Sequence, residues 1–294
     1  MAHMETREIL KKVRQVEIKT RGIVKEIFSG EYHSVFKGRG IEFAEVREYV
    51  PGDDIRSVDW NVTARMGHPY VKLFEEEREL TLMLLCDFSS SGYFGSARQL
   101  KIEVAVEVAA LLAFSAIKNH DKVGLLLFTD TIEKYVPPKK GKTHVLRILR
   151  ELISFHPERA GTDIRAALEY FSRVQSRRCI AFLISDFWDQ GFDDALRIAG
   201  QKHDLIALRL RDPREEEIPP AGLLKLQDAE TGEEFWLDTL DFNVRRSYQQ
   251  LIKNRRTKLD QLFRSSDVDC VEIRADQDYV RPISNFFRMR AKRR

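Results

Sequence analysis

The chain has 294 residues, enough for two average domains or for one large domain with extensions. Hydrophobic residues make up 43% and charged residues 32%, so the chain can bury a sizeable core and lacks the composition of a disordered protein. Its 49 basic and 46 acidic residues leave a net charge of only +3. This balance argues against a dedicated nucleic-acid-binding protein, because such proteins usually carry a strong basic excess.

Two further features of the sequence concern the cellular compartment in which the protein is expected. The longest apolar run, residues 104–117, contains Glu107 and is too short to span a bilayer. The three cysteines, Cys86, Cys179 and Cys270, lie far apart in apolar, strand-like segments, which predicts buried, reduced thiols. We therefore expect a cytoplasmic protein without membrane insertion.

The N-terminal region mixes helical and strand patterns. Residues 5–28 space their apolar side chains as an amphipathic helix does, with a break expected at Gly22. Residues 30–40 are Gly-rich and polar, which predicts a loop. Short strands are predicted at 43–49 and 70–74, separated by a turn at Pro51-Gly52-Asp53-Asp54.

A different pattern begins near residue 80. Nearly continuous apolar runs are typical of parallel strands covered on both faces, and they occur at 80–86, 122–128, 179–184 and 205–210. Residues 131–136 predict an edge strand that returns as a hairpin. Helical patterns separate the strands, at 97–118, 142–155, 163–175 and 192–201. Alternating strands and helices predict an α/β fold, with a mostly parallel sheet between helices.

The C-terminal part is expected to extend this domain. Residues 223–226 and 234–238 flank a turn and predict a hairpin. A helix at 241–264 and a strand at 270–273 follow, and we expect the strand to join the parallel sheet. The chain then divides into an N-terminal helix with a small β subdomain, 5–77, and an α/β domain with its hairpin and helix extension, 78–294.

Oxygen-bearing side chains occur where the predicted strands end. Ligands of open α/β sheets bind outside the carboxyl ends of the strands. Asp87, Ser89 and Ser91 follow the first buried strand, Asp186 follows the third, and Thr162 lies between them before a helix. Carboxylate and hydroxyl oxygens suit hard divalent cations, and magnesium prefers a few protein oxygens together with water. The sequence therefore predicts a site for Mg²⁺ or another divalent cation.

These five residues resemble the metal-ion-dependent adhesion site of von Willebrand factor A domains. The resemblance implies direct ligation by Ser89 and Ser91. It implies that Asp87 and Asp186 act directly or through waters, and that Thr162 engages when a partner binds. It also implies that an acidic residue of a partner protein completes the metal's coordination. The charges agree, because two carboxylates neutralise a divalent cation and leave room for one more anion.

Two points qualify this match. A D-x-S-x-S string alone is a weak signal, since Asp and Ser also cap helices. Many von Willebrand factor A domains also have Gly after the last Asp, where this chain has Phe187. That difference concerns the shape of the loop, and the ligand itself is unaffected.

The stretch before the first buried strand makes the resemblance more specific. It is similar to the hallmark of the bacterial family called domain of unknown function 58, in which it directly precedes a von Willebrand factor A-like domain. The similarity covers residues 5–210 well and the remainder loosely. It implies a MoxR-type AAA+ ATPase as partner, because such ATPases often accompany this family. The matching residues are Gly40, Phe43, Arg47, Tyr49, Gly52, Asp53, Asp54, Arg56, Asp59, Trp60, Ala64 and Arg65.

Basic and acidic side chains alternate within this stretch. They can form bidentate Arg–carboxylate pairs that hold a short sheet to the main domain, with an aromatic residue as packing anchor. We favour this structural interpretation, and the alternative is a second docking surface. The residues concerned are Arg47, Asp53, Asp54, Arg56, Asp59, Trp60 and Arg65.

Catalytic motifs are incomplete. Hydrolases that form an aspartyl phosphate need a second Asp two residues after the first, where this chain has Ser89. Asp163 stands beside Thr162, but such a residue more often caps a helix than acts as a base. We expect a non-enzymatic, metal-dependent protein-interaction module, an adaptor or co-chaperone of the ATPase in protein assembly or activation. The alternatives are a magnesium-dependent hydrolase and, through the basic C-terminal tail, a nucleic-acid-binding protein.

Overall fold

A six-stranded sheet lies at the centre of the molecule. The structure is a computed structural model that describes residues 6–26, 42–75, 80–96 and 99–293. The strands are β1 (Glu42–Glu48), β2 (Tyr70–Glu75), β3 (Thr81–Asp87), β4 (Lys122–Phe128), β5 (Ile132–Lys139), β6 (Ile180–Ser185), β7 (Asp204–Arg211), β8 (Leu223–Gln227), β9 (Glu234–Asp238) and β10 (Asp269–Arg274). The helices are α1 (Thr6–Glu26), α2 (Trp60–Met66), α3 (Lys101–Lys118), α4 (Lys142–Ser154), α5 (Ile164–Val174), α6 (Asp193–Lys202), α7 (Pro213–Glu216), α8 (Phe242–Ser265) and α9 (Val280–Arg293).

The order of strands in the central sheet is β10-β7-β6-β3-β4-β5. All neighbours pair in parallel except β4 and β5, which pair antiparallel at one edge. The edge position explains why β5 tolerates Pro137 and Pro138, which lack the N–H that a central strand needs. The predicted mostly parallel sheet, its returning edge strand and the joining of β10 are thus confirmed.

Helices cover both faces of this sheet. Side chains alternate along a strand, so Leu82 and Leu84 of β3 enter one core while Met83 and Leu85 enter the other. The first core includes residues of α1, α3, α4 and α9, and the second includes residues of α5, α6 and α8. Two covered faces account for the continuous apolar runs in the sequence.

Helix α3 begins later than the sequence predicts. The expected start at 97 is wrong for residues 99 and 100, which are not helical, and residues 97–98 lie outside the described part. The backbone N–H of Leu100 donates to the Glu103 carboxylate at 3.0 Å, which satisfies one of the free donors at the start of the helix. Lys101 therefore occupies the first turn of α3, next to the end of β3.

Helix α1 packs on the α/β domain. It runs through Gly22 without interruption, so the expected break is wrong. It lies against α3 and α4, and Val13 and Val24 are buried in the same core as β3. The predicted loop at 30–40 and the predicted domain boundary at 77/78 fall outside the described residues, and the boundary stays a prediction.

Strands β1 and β2 form a separate two-stranded antiparallel sheet. Arg47 makes the bidentate pair expected of it, with Nη1 and Nη2 2.8 and 2.7 Å from the two Asp53 oxygens. Lys72 Nζ lies 3.5 Å from an oxygen of Asp59. Both pairs join residues between 47 and 72, so they brace the small sheet itself and do not hold it to the α/β domain as expected.

The other charged residues of this stretch act locally. Asp54 accepts the backbone N–H of Arg56 at 3.0 Å at the start of a 3-10 helix, Ile55–Ser57. The carboxylate of Asp59 caps α2. Arg56 and Arg65 form no ion pair with any carboxylate that the structure describes. Trp60 is 67% exposed, so its predicted role as a packing anchor is wrong.

Among the described residues, the helices all fall short of the length and apolarity that a bilayer crossing requires. The three cysteines are unpaired, with Cys86 and Cys179 buried and Cys270 partly buried.

Candidate metal centre

Asp87 forms the floor of the site at the end of β3. Its side chain is buried, and Oδ1 accepts the backbone N–H of Ser89 at 2.9 Å. Oδ2 accepts the hydroxyl of Ser185 at 2.6 Å. Because β3 and β6 pair in parallel, their carboxyl ends meet at one edge and bring Asp87 beside the residues that follow β6.

The two motif serines lie in the loop after β3. Their hydroxyl oxygens are 3.1 Å apart, and the loop continues as a 3-10 helix, Ser90–Tyr93. The backbone N–H of Ser90 donates to the Ala160 carbonyl at 2.9 Å, which ties this loop to the segment that carries Thr162. A cavity of about 10 Å³, room for roughly one water-sized sphere, is lined by Asp87, Ser89, Ser91, Gly92, Lys101, Ile102, Ser185, Asp186 and Leu210.

Asp186 forms an ion pair inside this cavity. Its Oδ2 lies 2.6 Å from Nζ of Lys101, which is fully buried and also lies 2.5 Å from Oε1 of Glu215. Burial lowers the pKa of Lys101, but the charges of Asp186 and Glu215 outweigh it and raise that pKa above its ordinary value. Lys101 therefore stays an ammonium that partly neutralises Asp186.

Thr162 lies on the neighbouring loop, before α5. It is not among the residues that line the small cavity, and its hydroxyl donates to Oε1 of Glu230 at 2.8 Å. Asp163 caps α5 by accepting the backbone N–H of Ala166 at 2.8 Å, as its helix-capping interpretation predicts. Four of the five motif residues thus surround one cavity, and the fifth faces the β8–β9 hairpin.

The loop after Asp186 has the conformation that glycine would favour. Phe187 has φ +59°, in the left-handed region, and its ring is fully buried. The ring packs edge-on against Phe263 with centroids 5.2 Å apart, and its backbone N–H donates to Ser185 Oγ at 2.9 Å. Arg255 donates to the Phe187 carbonyl at 2.7 Å. The ring packing and the two hydrogen bonds therefore hold Phe187 in this conformation.

Sequence reasoning missed Lys101, Glu215 and Glu230. Lys101 lies 85 residues from Asp186, and Glu230 lies 68 residues from Thr162. Their proximity follows from the tertiary fold and leaves no local spacing signal. These contacts depend on the start of α3 at Lys101 and on the position of the β8–β9 hairpin over the edge of the sheet.

The donor set suits a hard cation. Burial raises the pKa of Asp87, and the negative charge of Asp186 raises it further, so the pair favours added positive charge. The donors that face the cavity are carboxylate and hydroxyl oxygens, which Mg²⁺ accepts together with waters. In the described residues, His, Cys, Asp and Glu side chains form no cluster of three or more suited to a metal. A site here would thus rest on Asp87, Ser89, Ser91 and Asp186, with Thr162 adjacent.

Comparison with known proteins identifies the family. The model for "Protein of unknown function DUF58" matches residues 45–258, most of the chain. The uncharacterized protein Rv1480 of Mycobacterium tuberculosis is 30% identical over 285 residues, which cover 95% of this chain and 89% of that protein. The uncharacterized protein YeaD of Bacillus subtilis is 29% identical over 170 residues, covering 58% of this chain and 40% of YeaD.

A solved structure resembles the fold. An aerotolerance-related membrane protein from Bacteroides fragilis superposes with a TM-score of 0.51 at 16% identity, over 73% of this chain and 100% of that chain. This likeness concerns the fold alone. The structure has the α/β fold with a mostly parallel sheet between helices that the sequence predicts. The chain belongs to the DUF58 family.

Proposed function

We propose that this DUF58 protein binds partner proteins through a divalent cation, Mg²⁺ in the simplest case, held at the carboxyl edge of the sheet. The observation that carries the proposal is that Asp87, Ser89, Ser91 and Asp186 line one cavity. The Lys101 ammonium lies 2.6 Å from Asp186 in the same cavity and adds a further positive charge beside the proposed cation. A cation held by two carboxylates and neutral hydroxyls keeps affinity for one further anion. The carboxylate of an acidic partner residue would supply it.

The side chains around the cavity favour binding over catalysis. A hydrolase needs a nucleophile beside a base that can accept its proton. Lys101 has a raised pKa and remains protonated, so it is a poor base. The hydroxyl of Ser185 donates to Asp87, a carboxylate assigned here to the metal. The arrangement thus supports a site that receives a ligand without transforming it.

The partner we propose is a MoxR-type AAA+ ATPase. The basis is the resemblance of residues 40–65 and of the motif to the DUF58 family. In this role the protein acts as an adaptor or co-chaperone that presents clients to the ATPase, or the ATPase to clients, during protein assembly or activation.

A second surface on the β1–β2 unit is a candidate for the same partner. Ile55 and Trp60 are both 67% exposed, and Met66 is 58% exposed. Exposed large apolar side chains grouped within a dozen residues are unusual unless something covers them. This favours docking over the structural interpretation for the part of the stretch around α2.

The basic C-terminal tail gives little support to the alternative of a nucleic-acid-binding protein, because some of its basic side chains form ion pairs within the protein. Arg290 forms ion pairs with Asp204 and Asp269, and Arg293 lies 3.7 Å from Asp269. Basic side chains already paired within the protein contribute less to phosphate binding.

Binding of the purified ATPase in Mg²⁺ and in EDTA tests the proposal. We expect complex formation in Mg²⁺, and we expect its loss in EDTA and in Asp186→Ala. The matched control is Asp194→Ala, which removes an exposed carboxylate on α6 and should bind as the unmodified protein does.

Binding that is unchanged by both EDTA and Asp186→Ala would contradict metal dependence. Trp60→Ala would then test the surface around α2. Turnover of a phosphate ester that requires Mg²⁺ and disappears in Asp186→Ala would favour the hydrolase alternative.

A further inference from the structure

The β8–β9 hairpin carries a carboxylate to the edge of the candidate metal centre. Within the part of the chain that the structure describes, its two strands pair only with each other, and most of their residues are exposed. At the tip, the Asp228 carboxylate accepts the backbone N–H groups of Glu230 at 2.9 Å and Thr231 at 2.8 Å. Gly232 closes the turn with φ +75°. These contacts fix the backbone of Glu230 in one place.

The base of the hairpin is anchored as well. Thr239 is fully buried, and its hydroxyl donates to the Gly222 carbonyl at 2.6 Å while accepting the Ala221 N–H at 2.9 Å. Arg245 of α8 donates to the Thr239 carbonyl at 2.5 Å. A hairpin held at its base and ordered at its tip can deliver one side chain at low entropic cost.

That side chain is Glu230, which meets the motif at Thr162. The distance of 2.8 Å from Thr162 Oγ1 to Glu230 Oε1 is a normal hydrogen bond. Thr162 is the motif residue expected to engage when an acidic residue of a partner binds. The Glu230 carboxylate therefore already occupies the side of Thr162 that such a residue would approach.

We propose that Glu230 is an internal ligand of the metal, placed where a partner's acidic residue would otherwise complete the coordination. The inference rests on the proposed metal site and deepens it. A partner carboxylate must displace Glu230, which competes as a tethered group at an effective concentration on the order of millimolar. Partner binding would therefore release the hairpin tip from Thr162.

Isothermal titration of the full chain with Mg²⁺ alone tests this proposal. The variant is Glu230→Gln, which keeps the size of the side chain and removes its charge. We expect it to bind Mg²⁺ about tenfold more weakly than the unmodified protein, as is typical when one partner of a metal site is lost. The matched control is Glu233→Gln, an exposed glutamate of the same hairpin, which should bind Mg²⁺ as the unmodified protein does.

Hydrogen exchange of the hairpin tip gives a second measurement. Mg²⁺ should slow exchange at residues 230–231 of the unmodified protein and leave these amides unchanged in Glu230→Gln. Equal Mg²⁺ affinity in the unmodified protein and Glu230→Gln, with none in Asp87→Ala, would overturn the internal ligand and leave the metal site intact. Equal Mg²⁺ binding by the unmodified protein and Asp87→Ala would overturn the metal site and Glu230's role with it.

Discussion

Phe187 combines an unfavourable backbone with a favourable side chain. In the left-handed region its Cβ lies close to the following carbonyl oxygen, which costs about 1–2 kcal/mol for a residue other than glycine. Burial of the ring against Phe192 and Phe263 offsets this cost. The aromatic cluster therefore holds the loop that places Asp186 at the sheet edge.

Replacing Phe187 separates the two effects. Both Phe187→Ala and Phe187→Gly lose the ring, at about 3–5 kcal/mol. We expect the glycine variant to be the more stable by about 1 kcal/mol, because glycine tolerates the positive φ. Phe171 is buried inside α5, where glycine is a poor helix former. At this position we therefore expect the alanine variant to be more stable than the glycine variant, by a similar amount. Urea unfolding gives the free energy of unfolding of all four variants. Equal free energies for Phe187→Ala and Phe187→Gly would show that the backbone at residue 187 is unstrained.

Among the elements, α1 depends on packing for its stability. Val13 and Val24 are buried against the α/β domain, whereas Ile18 on the opposite side is 65% exposed. Lys19 adds an ion pair to Glu107 of α3 at 2.6 Å, but such a partly exposed pair contributes little. The buried valine face should therefore decide whether α1 stays attached.

A charge on that face should detach the helix. Val24→Asp buries a carboxylate without a partner, which costs about 3 kcal/mol or more unless α1 leaves the domain. We expect fast hydrogen exchange throughout α1 in this variant, while β3 and β4 remain protected. Ile18→Asp, the same chemical change on the exposed side, should keep α1 protected. Slow exchange of α1 in Val24→Asp would mean that the helix is held by other contacts.

For the whole molecule, His203 should set part of the acid stability. The residue is 1% exposed, and its ring packs at a tilt of 45° against Phe171 with centroids 4.5 Å apart. Burial, with smaller contributions from Lys202 and Arg178, lowers the pKa of His203 to about 4. The unfolded chain thus binds a proton near pH 6.5 that the folded protein takes up only near pH 4.

Stability should therefore fall as the pH decreases from 6.5 to 4, by about 2–3 kcal/mol from this residue. The measurement is the urea midpoint at several pH values. His203→Gln should be less stable at pH 7 and should lose less stability between pH 6.5 and 4. His68→Gln, at an exposed histidine, should show the slope of the unmodified protein. If the stability of His203→Gln falls with decreasing pH as steeply as that of the unmodified protein, other groups cause the acid sensitivity.

Sequence patterns predict the central sheet well, because β3, β4 and β6 are almost entirely apolar and end at or just before a polar residue. Strand β4 matches its prediction at both ends, and β6 and β7 differ by one residue at each end. The predicted start of α3 is wrong, because Gln99 and Leu100 have good helix propensity and are nevertheless not helical. The charged neighbours of the motif, Lys101 and Glu230, reach it through folding across long sequence separations, which no local pattern records.

The placement of α1 also bears on the order of folding. Lys19 pairs with Glu107, 88 residues further along the chain, and its ammonium lies 5.4 Å from the centre of the Tyr279 ring. Such distant pairs close large loops, and contacts of this kind form late and slow the folding reaction. During synthesis at the ribosome, α1 emerges long before the surfaces that cover its valines exist. Its apolar stripe is then exposed to self-association or to chaperones until α3, α4 and the residues before α9 have been made.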